Sequence, residues 1–341
     1  MAWLNAPAFW NLLPPTPLAR VLAPLGAAYG TATAWRMRRP GAALPCPVIC
    51  IGNFTAGGTG KTPMAQALGR MLLAQGYHPA FLSRGFGGVA GRQPTLVDPA
   101  QHTALETGDE PLLLARTAPV VVCADRLAGA RLALAHGADV LVMDDGLQNP
   151  ALAKTLSLTM VDGVVGFGNG LCLPAGPLRA PLAAQWRWVQ GLVVVGEGSA
   201  GERAAQSAAE AGKTVFFARL VPDATAAARL RGQKVVAFGG IGRPSKFFAS
   251  LESTGAHIIA RHGFADHHFY SPAEMQALQH QALAGNAGLV TTEKDMARAG
   301  PWPGPMQPTA LPVVMEMENP AGFEKWVAAA LAAFKPGDPP F

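Results

Sequence analysis

Residues 46–63 read CPVICIGNFTAGGTGKTP. The run Pro47–Ile51 is apolar and β-branched, as in a strand buried within a parallel sheet. It breaks into a glycine-rich turn, and a helical pattern begins at Lys61. Strand, glycine turn and helix in that order make a phosphate-binding loop. Gly57, Gly58 and Gly60 let the backbone turn its N–H groups toward phosphate oxygens, and the helix N-terminus adds partial positive charge. Lys61 would reach the β- and γ-phosphates, and the Thr62 hydroxyl would bind Mg²⁺. Thr55, Ala56 and Thr59 complete the loop. The usual GxxxxGK[ST] pattern has glycine where this chain has Thr55. A glycine turn without a ligand is the plainer alternative, but Gly-Lys-Thr sits at the strand–helix junction where phosphate binding needs it. We read a nucleotide site.

The 341 residues suffice for two domains, and half of them are hydrophobic. Only 14% are charged, with a net charge of +5. That balance points to an anionic partner: nucleotide, nucleic acid or acidic lipid. Basic-and-aromatic RNA-binding signatures are missing, so no nucleic-acid partner is expected. Cys46, Cys50, Cys123 and Cys172 are scattered without a CxxC pair. They suggest buried thiols in a reducing compartment, not a zinc site or a disulfide framework.

Residues 1–40 are apolar and carry Trp3, Trp10 and Trp35, closed by Arg36, Arg38 and Arg39. A secretory signal places its basic cluster first, and here it comes last. A membrane-crossing helix needs about 20 uninterrupted apolar residues. Pro14, Pro15, Pro17, Arg20 and Pro24 interrupt this stretch. Tryptophan at headgroup depth and arginine on lipid phosphates suit a segment lying in the interface. The blander alternative is a helix packed on the protein's own core.

From Cys46 onward strands and helices alternate. HPAFLSRG, APVVVCADR, DVLVMDDG, SLTMVDG and GLVVVG read as further strands, with polar residues at several of their C-terminal ends. Ligands of parallel sheets bind at that edge. A second block starts with KVVAFGGIG, followed by a helix after Pro244. HIIARHG, GLVTTE and LPVVMEM are its further strands, and SPAEMQALQHQAL is helical. The expected fold class is α/β: a phosphate-loop NTPase fold with a mostly parallel sheet, a smaller C-terminal α/β domain and an apolar N-terminal segment. The expected divisions are 1–40, 41–225 and 226–341.

Asp144 and Asp145 end an apolar strand, where such proteins place the carboxylate that holds Mg²⁺ or its water. Asp109 and Glu110, in Gly108-Asp109-Glu110-Pro111, either cap a helix or place an acid where it accepts the proton of an attacking hydroxyl. Arg84, Arg126 and Arg179 stand at strand ends or in Gly/Pro loops, where a guanidinium binds phosphate bidentately. Asp266-His267-His268 suggests either a metal site or a histidine paired with a catalytic acid. In Thr291–Asp295 (TTEKD), Lys294 and Asp295 are adjacent, which argues against the [NT]KxD guanine-reading motif.

Together, GNFTAGGTGKTP, LSRGFGG, TGDEP, ADR, DDGLQN, LPAGPLR, AFGGIGRPSKFF, FADHHFYS and TTEKD resemble the tetraacyldisaccharide 4′-kinase family. They run in family order from Gly52 to Asp295, and the apolar N-terminus is similar to the family's membrane-associating region. The resemblance implies transfer of the ATP γ-phosphate to the 4′-hydroxyl of a tetraacylated disaccharide 1-phosphate. It implies ATP and Mg²⁺ as cofactors, an acylated lipid substrate, and a peripheral place on the cytoplasmic face of the inner membrane. Residue by residue, it implies Asp109 as base, His267 to orient it, Lys61 on phosphate, and Thr62 and Asp145 on the metal. Glu110 would support the metal through water, and Arg84, Arg126, Gln148 and Arg179 would contact nucleotide or substrate. Two positions depart from the family pattern: Asn149 stands in place of histidine after DDGLQ, and Phe86 in place of tyrosine in SRGYG. A phosphate-loop ATPase or GTPase working through a protein partner is the competing class.

Overall fold

The strand before the glycine turn, β1 (Val48–Gly52), is buried along its whole length. The structure, a computed structural model, describes residues 7–300 and 302–336, so Trp3 lies outside the described residues. Further strands are β2 (Pro79–Ser83), β3 (Thr95–Leu96), β4 (Val120–Val122), β5 (Val140–Asp144), β6 (Leu156–Asp162), β7 (Gly191–Val195) and β8 (Thr214–Pro222). Then follow β9 (Lys234–Gly239), β10 (His257–Gly263), β11 (Gly288–Thr292), β12 (Thr309–Leu311) and β13 (Val313–Met317). The helices are α1 (Pro17–Met37), α2 (Lys61–Ala74), α3 (Ala104–Thr107), α4 (Asp109–Leu114), α5 (Arg126–Ala135) and α6 (Leu182–Gln185). After them come α7 (Ser199–Glu210), α8 (Ala224–Leu230), α9 (Pro244–Ser253), α10 (Pro272–Ala284), α11 (Glu293–Ala299) and α12 (Pro320–Ala332).

A nine-stranded sheet runs β13-β8-β7-β6-β1-β5-β2-β4-β3, with β1 at its centre. Its pairings are parallel except at the two edges, where β13 and β3 run antiparallel to their neighbours. Both faces are covered, which is why the strands read as near-continuous apolar runs. Met64, Leu68 and Leu72 of α2 pack with Phe323 and Val327 of α12 on one face. Ala130 of α5, Ala204 of α7 and Trp186 pack on the other. A four-stranded parallel sheet, β10-β9-β11-β12, forms the second unit. Phe238, Tyr270 and Leu278 build one face of its core, and Val235, Phe247 and Leu251 the other.

LPVVMEM, expected in the second block, divides between the sheets. Leu311 closes β12 of the small sheet, whereas Met315 in β13 faces Leu220 of β8 in the large one. A period of two tells which side chains point inward but carries no address for the partner strand. The pairing covers the otherwise open edge of β8. Thus the span 226–341, expected as one unit, is shared between the two sheets, and α12 belongs to the core of the larger one.

The N-terminal prolines do not prevent a helix. Pro17 falls in the first turn, where a missing N–H costs nothing, and Pro24 is accommodated inside α1. Ala19, Gly26, Gly30, Thr33 and Met37 form the buried face. A Cβ at Gly26 would stand 2.6 Å from the Cys172 carbonyl oxygen, so this approach requires glycine. The large side chains Leu18, Val21, Leu25, Tyr29 and Trp35 point outward instead. Among the described residues, no helix is long and apolar enough to cross a membrane.

Candidate active site

The phosphate loop follows β1 at the C-terminal edge of the large sheet. Gly60, at the N-cap of α2, has φ +84° and Gly57 has φ +123°. L-residues rarely adopt such angles. Side chains at Gly57 and Gly58 would meet nothing within 4 Å, so the loop backbone lies open to the cleft. Thr55, at the position where the pattern has glycine, is buried and bridges antiparallel to Leu178. The Ala56 N–H donates to the Pro177 carbonyl at 2.8 Å. The LPAGPLR stretch therefore braces the loop from outside.

The loop opens into a cavity of about 1540 Å³ between the two sheets. Ala56–Thr62, Arg84, Glu110, Arg126, Asp144, Asp145, Gln148 and Arg179 line it from the large sheet. From the small sheet come Arg243, Lys246, His267 and Lys294; α1 contributes Tyr29, Thr33 and Arg36, and Arg39 follows just after it. A small-molecule pocket is typically about 300–1,000 Å³, so there is room for more than a nucleotide.

The adjacent aspartates have different surroundings. Asp145, at φ +51°, receives both Arg179 terminal nitrogens at 2.8 and 3.0 Å, with Lys61 Nζ at 3.9 Å. Burial alone would raise its pKa, but Lys61 and Arg179 outweigh that and hold it at about 2. Asp144 is buried, and its Oδ1 has no hydrogen-bond partner. Burial, with the charges of Glu110 and Asp145, pushes its carboxyl up to about 7. Gln148 sits behind Arg179: its Oε1 accepts from Arg179 at 3.2 Å, and its amide donates to the Asn53 carbonyl at 2.9 Å. Arg126 is buried and donates to the Ser83 carbonyl at 3.1 Å and to the Cys123 carbonyl, tying the ends of β2 and β4. Its Nε is buried without a partner.

Asp109 opens α4 and is 3% exposed. It lies just behind the cavity wall, which its neighbours Glu110 and His267 line. Its Oδ1 accepts the Glu110 N–H at 3.0 Å. Its Oδ2 stands 3.6 Å from His267 Nδ1 and 3.4 Å from Arg298 Nε, both longer than a hydrogen bond. Burial raises the Asp109 pKa, yet His267, Lys294 and Arg298 together hold it down at about 2. The same carboxylate raises the pKa of His267 against the effect of burial. His267 has φ +58°, a strained angle for such a residue and one that clusters at functional sites. His268 turns away to Glu274, at 3.1 Å, so the histidine pair does not converge on one ion.

Three contacts across the cleft were not legible beforehand. Lys294 Nζ lies 2.6 Å from Glu110 Oε1, Arg298 stands beside Asp109, and Asp162 at the end of β6 accepts from Arg243 and Lys246. The TTEKD stretch held a signal, since its Lys294 follows a strand end; its carboxylate Asp295 is buried and accepts from Tyr270 at 2.8 Å and from the Gly240 N–H at 2.9 Å. Asn149 Oδ1 accepts the Ala151 N–H at 2.9 Å, shaping its own turn. Phe86 packs against His267, ring centres 5.6 Å apart.

Among the described residues, no three His, Cys, Asp or Glu side chains are arranged to hold a metal ion by themselves. Mg²⁺ in phosphate-transfer sites needs only one or two protein oxygens beside the phosphates. The unpartnered Asp144 Oδ1, the Thr62 hydroxyl at the start of α2 and the open loop backbone fit a magnesium–nucleotide complex.

A phosphate loop at the edge of a parallel sheet, facing an acid–histidine pair across a cleft, defines a phosphate-loop kinase. A family profile for tetraacyldisaccharide-1-P 4′-kinase matches residues 18–332. The chain belongs to the tetraacyldisaccharide 4′-kinase family. It is 59% identical over 296 residues to the tetraacyldisaccharide 4′-kinase of Methylorubrum extorquens strain PA1, covering 86% of this chain and 89% of that one. With the Methylorubrum populi enzyme of the same name it shares 54% over 329 residues, 96% and 99% of the two chains. A solved LpxK from Aquifex aeolicus, in complex with ATP, has the same fold: TM-score 0.72 and 24% identity, over 92% of this chain and 99% of that one.

Proposed function

We infer that the protein transfers the γ-phosphate of ATP to the 4′-hydroxyl of a tetraacyldisaccharide 1-phosphate, a lipid A precursor. The observation that carries this reading is the single cavity in which the phosphate loop faces His267, with the buried Asp109 carboxylate against that imidazole. Residues Thr55, Ala56, Gly57, Gly58, Thr59 and Gly60 would cradle the triphosphate, with Lys61 on its terminal oxygens. Thr62 and the Asp144–Asp145 pair would hold Mg²⁺, with Glu110 acting through water. When bound, the ion offsets charge on the bridging phosphate oxygens. The sugar oxygen bonds to the γ-phosphorus as the bond to the β-phosphate oxygen breaks, and ADP leaves. The hydroxyl proton passes to the Asp109–His267 pair, with Asp109 as its base. Arg84, Arg126 and Arg179, the last oriented by Gln148, would meet phosphate groups of nucleotide or lipid.

The same reading gives the chain three working parts: a membrane-associating segment, 1–40, a phosphate-loop unit, 41–225 together with β13 and α12, and a smaller unit made of the rest of 226–341. Two features support a peripheral place on the cytoplasmic face of the inner membrane, on an anionic lipid surface. The outward face of α1 carries Leu18, Val21, Leu25 and Trp35, and the chain has no Asp or Glu before Asp98. The cavity also reaches α1, so a headgroup inside it would leave acyl chains beside that apolar face.

The test is to incubate the protein with γ-labelled ATP, Mg²⁺ and tetraacyldisaccharide 1-phosphate. Label should appear in the lipid. Steady ATP hydrolysis with unlabelled lipid would favour the partner-driven ATPase or GTPase instead. For the membrane, Val21→Ser with Leu25→Ser should weaken binding to anionic vesicles without unfolding, because these side chains are not part of the buried face. Unchanged binding would remove α1 from the membrane contact.

A further inference from the structure

The small sheet delivers a second cation to Asp109, and it does so through helix geometry. Thr292 caps α11, its hydroxyl accepting the Asp295 N–H at 3.1 Å. Lys294 and Arg298 are one turn apart on this helix, so both project from one face. Across the cleft the consecutive acids Asp109 and Glu110 open α4. Lys294 takes Glu110 at 2.6 Å, and Arg298 takes Asp109 at 3.4 Å. One helix face thus matches one turn, acid for base.

The two pairs differ in burial. Lys294 and Glu110 keep 30% and 25% of their side-chain surface exposed, whereas Arg298 and Asp109 keep 2% and 3%. Arg298 is itself fixed: its Nη2 donates to Asp295 Oδ1 at 2.8 Å and its Nε to the Lys294 carbonyl at 3.2 Å. Asp295, fully buried, is pinned in turn by Tyr270 and the Gly240 N–H. One Arg298 nitrogen, Nη1, has no hydrogen-bond partner although it is buried. A buried ion pair with an unsatisfied donor is a poor way to gain stability. It is, however, a good way to hold a carboxylate in one place with a charge that does not titrate.

We propose that Arg298 is a positioning residue for phosphoryl transfer, a fixed cation that the small sheet supplies to hold the Asp109 carboxylate against His267. His267 and Arg298 address the same Oδ2 from two elements, the loop after β10 and the helix after β11. Arg298 acts through Asp109 and does not line the cavity. Its removal should therefore affect turnover more than nucleotide binding.

The inference rests on the kinase reading, so the assay starts with the wild-type protein, labelled ATP, Mg²⁺ and tetraacyldisaccharide 1-phosphate. No label in the lipid there would sink that reading first. With an active wild type, Arg298→Gln should lower kcat about 10- to 100-fold, the cost of a small misplacement at a reacting group. KM for ATP should not move, and Arg298→Lys should recover part of the loss. The deciding measurement repeats Arg298→Gln in an Asp109→Ala background, where it should add no further loss. An equal loss in both backgrounds, or full activity of the folded single variant, overturns the proposal. If Arg298→Gln melts too low to assay, the same cycle with Arg298→Lys decides it, because lysine keeps the charge and loses only the planar fork.

Discussion

The large sheet and the small sheet each supply one wall of the cleft, and the two walls are built by different means. The large-sheet wall is built around one run of consecutive residues, the glycine turn after β1 and the first turn of α2, with the loop backbone open to the cleft. The small-sheet wall is made of side chains reaching across from separate segments: Arg243 and Lys246 from the start of α9, His267 from a loop and Lys294 from α11, with Arg298 of α11 buried behind it. Backbone groups of a loop are held by its fold, whereas a side-chain wall depends on the partners it meets. The first wall should thus tolerate changes in the second, and the second should be sensitive to charge and pH.

The sharpest way to break this contrast is Lys61→Ala. Lysine here is the one long side chain the loop adds to its backbone cradle, aimed where phosphoryl charge develops. We expect loss of at least about 10³-fold in turnover, the scale of removing a cation from a phosphoryl-transfer site. Thermal unfolding should stay close to wild type, since Lys61 pairs loosely with Asp145, at 3.9 Å, while Arg179 holds that carboxylate closely. A folded Lys61→Ala protein with full activity would show that the loop is not the phosphate site.

Next in size is the pair in which the two walls meet, Asp109 of the large-sheet unit and His267 of the small-sheet one. Asp109→Ala should cost about 10²–10⁴-fold in kcat, with little change in ATP affinity. His267→Ala should cost less, and the double variant should fall short of the product of the two losses because the pair acts as a unit. Fully multiplicative losses would mean that the two residues act separately.

The contrast in construction also decides what could be read in advance. The phosphate loop was legible because strand, turn and helix are contiguous, and local sequence sets all three. The acids of DDG were legible as the end of an apolar run, and those of GDEP as the start of a helix. Their partners were not: Arg298 and Asp109 are far apart in sequence, and no periodicity links them. The TTEKD stretch was read for a guanine-reading pattern it does not match and as one of the family segments, with no role for Lys294 or for Arg298 after it, while both face GDEP. The strand LPVVMEM was visible as a strand, but its sheet was not, because alternation is the same whichever edge receives it. The helix α1 was obscured by its prolines, since propensity gives no weight to a buried face of small residues against Cys172.

A smaller effect should come from pH. Asp109 raises the pKa of His267 in the folded protein above its ordinary value near 6.5. The protonated pair therefore contributes stability that is fully present below the unfolded value and lost as pH rises through the folded one. Thermal melts from pH 6 to 9 should fall more for wild type than for His267→Gln. Parallel curves would show that the imidazole gains nothing from Asp109.

The smallest effect is expected at Asp162, where the two walls are joined away from the phosphate loop. Its carboxylate ends β6 and accepts from Arg243 and Lys246, which begin α9. Burial alone would raise its pKa, and the two cations turn the net shift downward. Asp162→Asn keeps the local turn, because Oδ1 would still accept the Val164 and Val165 N–H groups now held at 3.0 and 3.1 Å. The charge is lost, together with the Oδ2 acceptor that Arg243 and Lys246 share. Arg243 and Lys246 keep 33% and 44% of their side-chain surface exposed, so water and salt screen the attraction. The expected cost is about 0.5–1 kcal/mol at low salt, shrinking as ionic strength rises. Urea unfolding of wild type and variant at two salt concentrations measures it. A loss of several kcal/mol that ignores salt would mean that Asp162 locks the walls together. The small-sheet wall would then be as rigid as the loop it faces, and the contrast between them would fail.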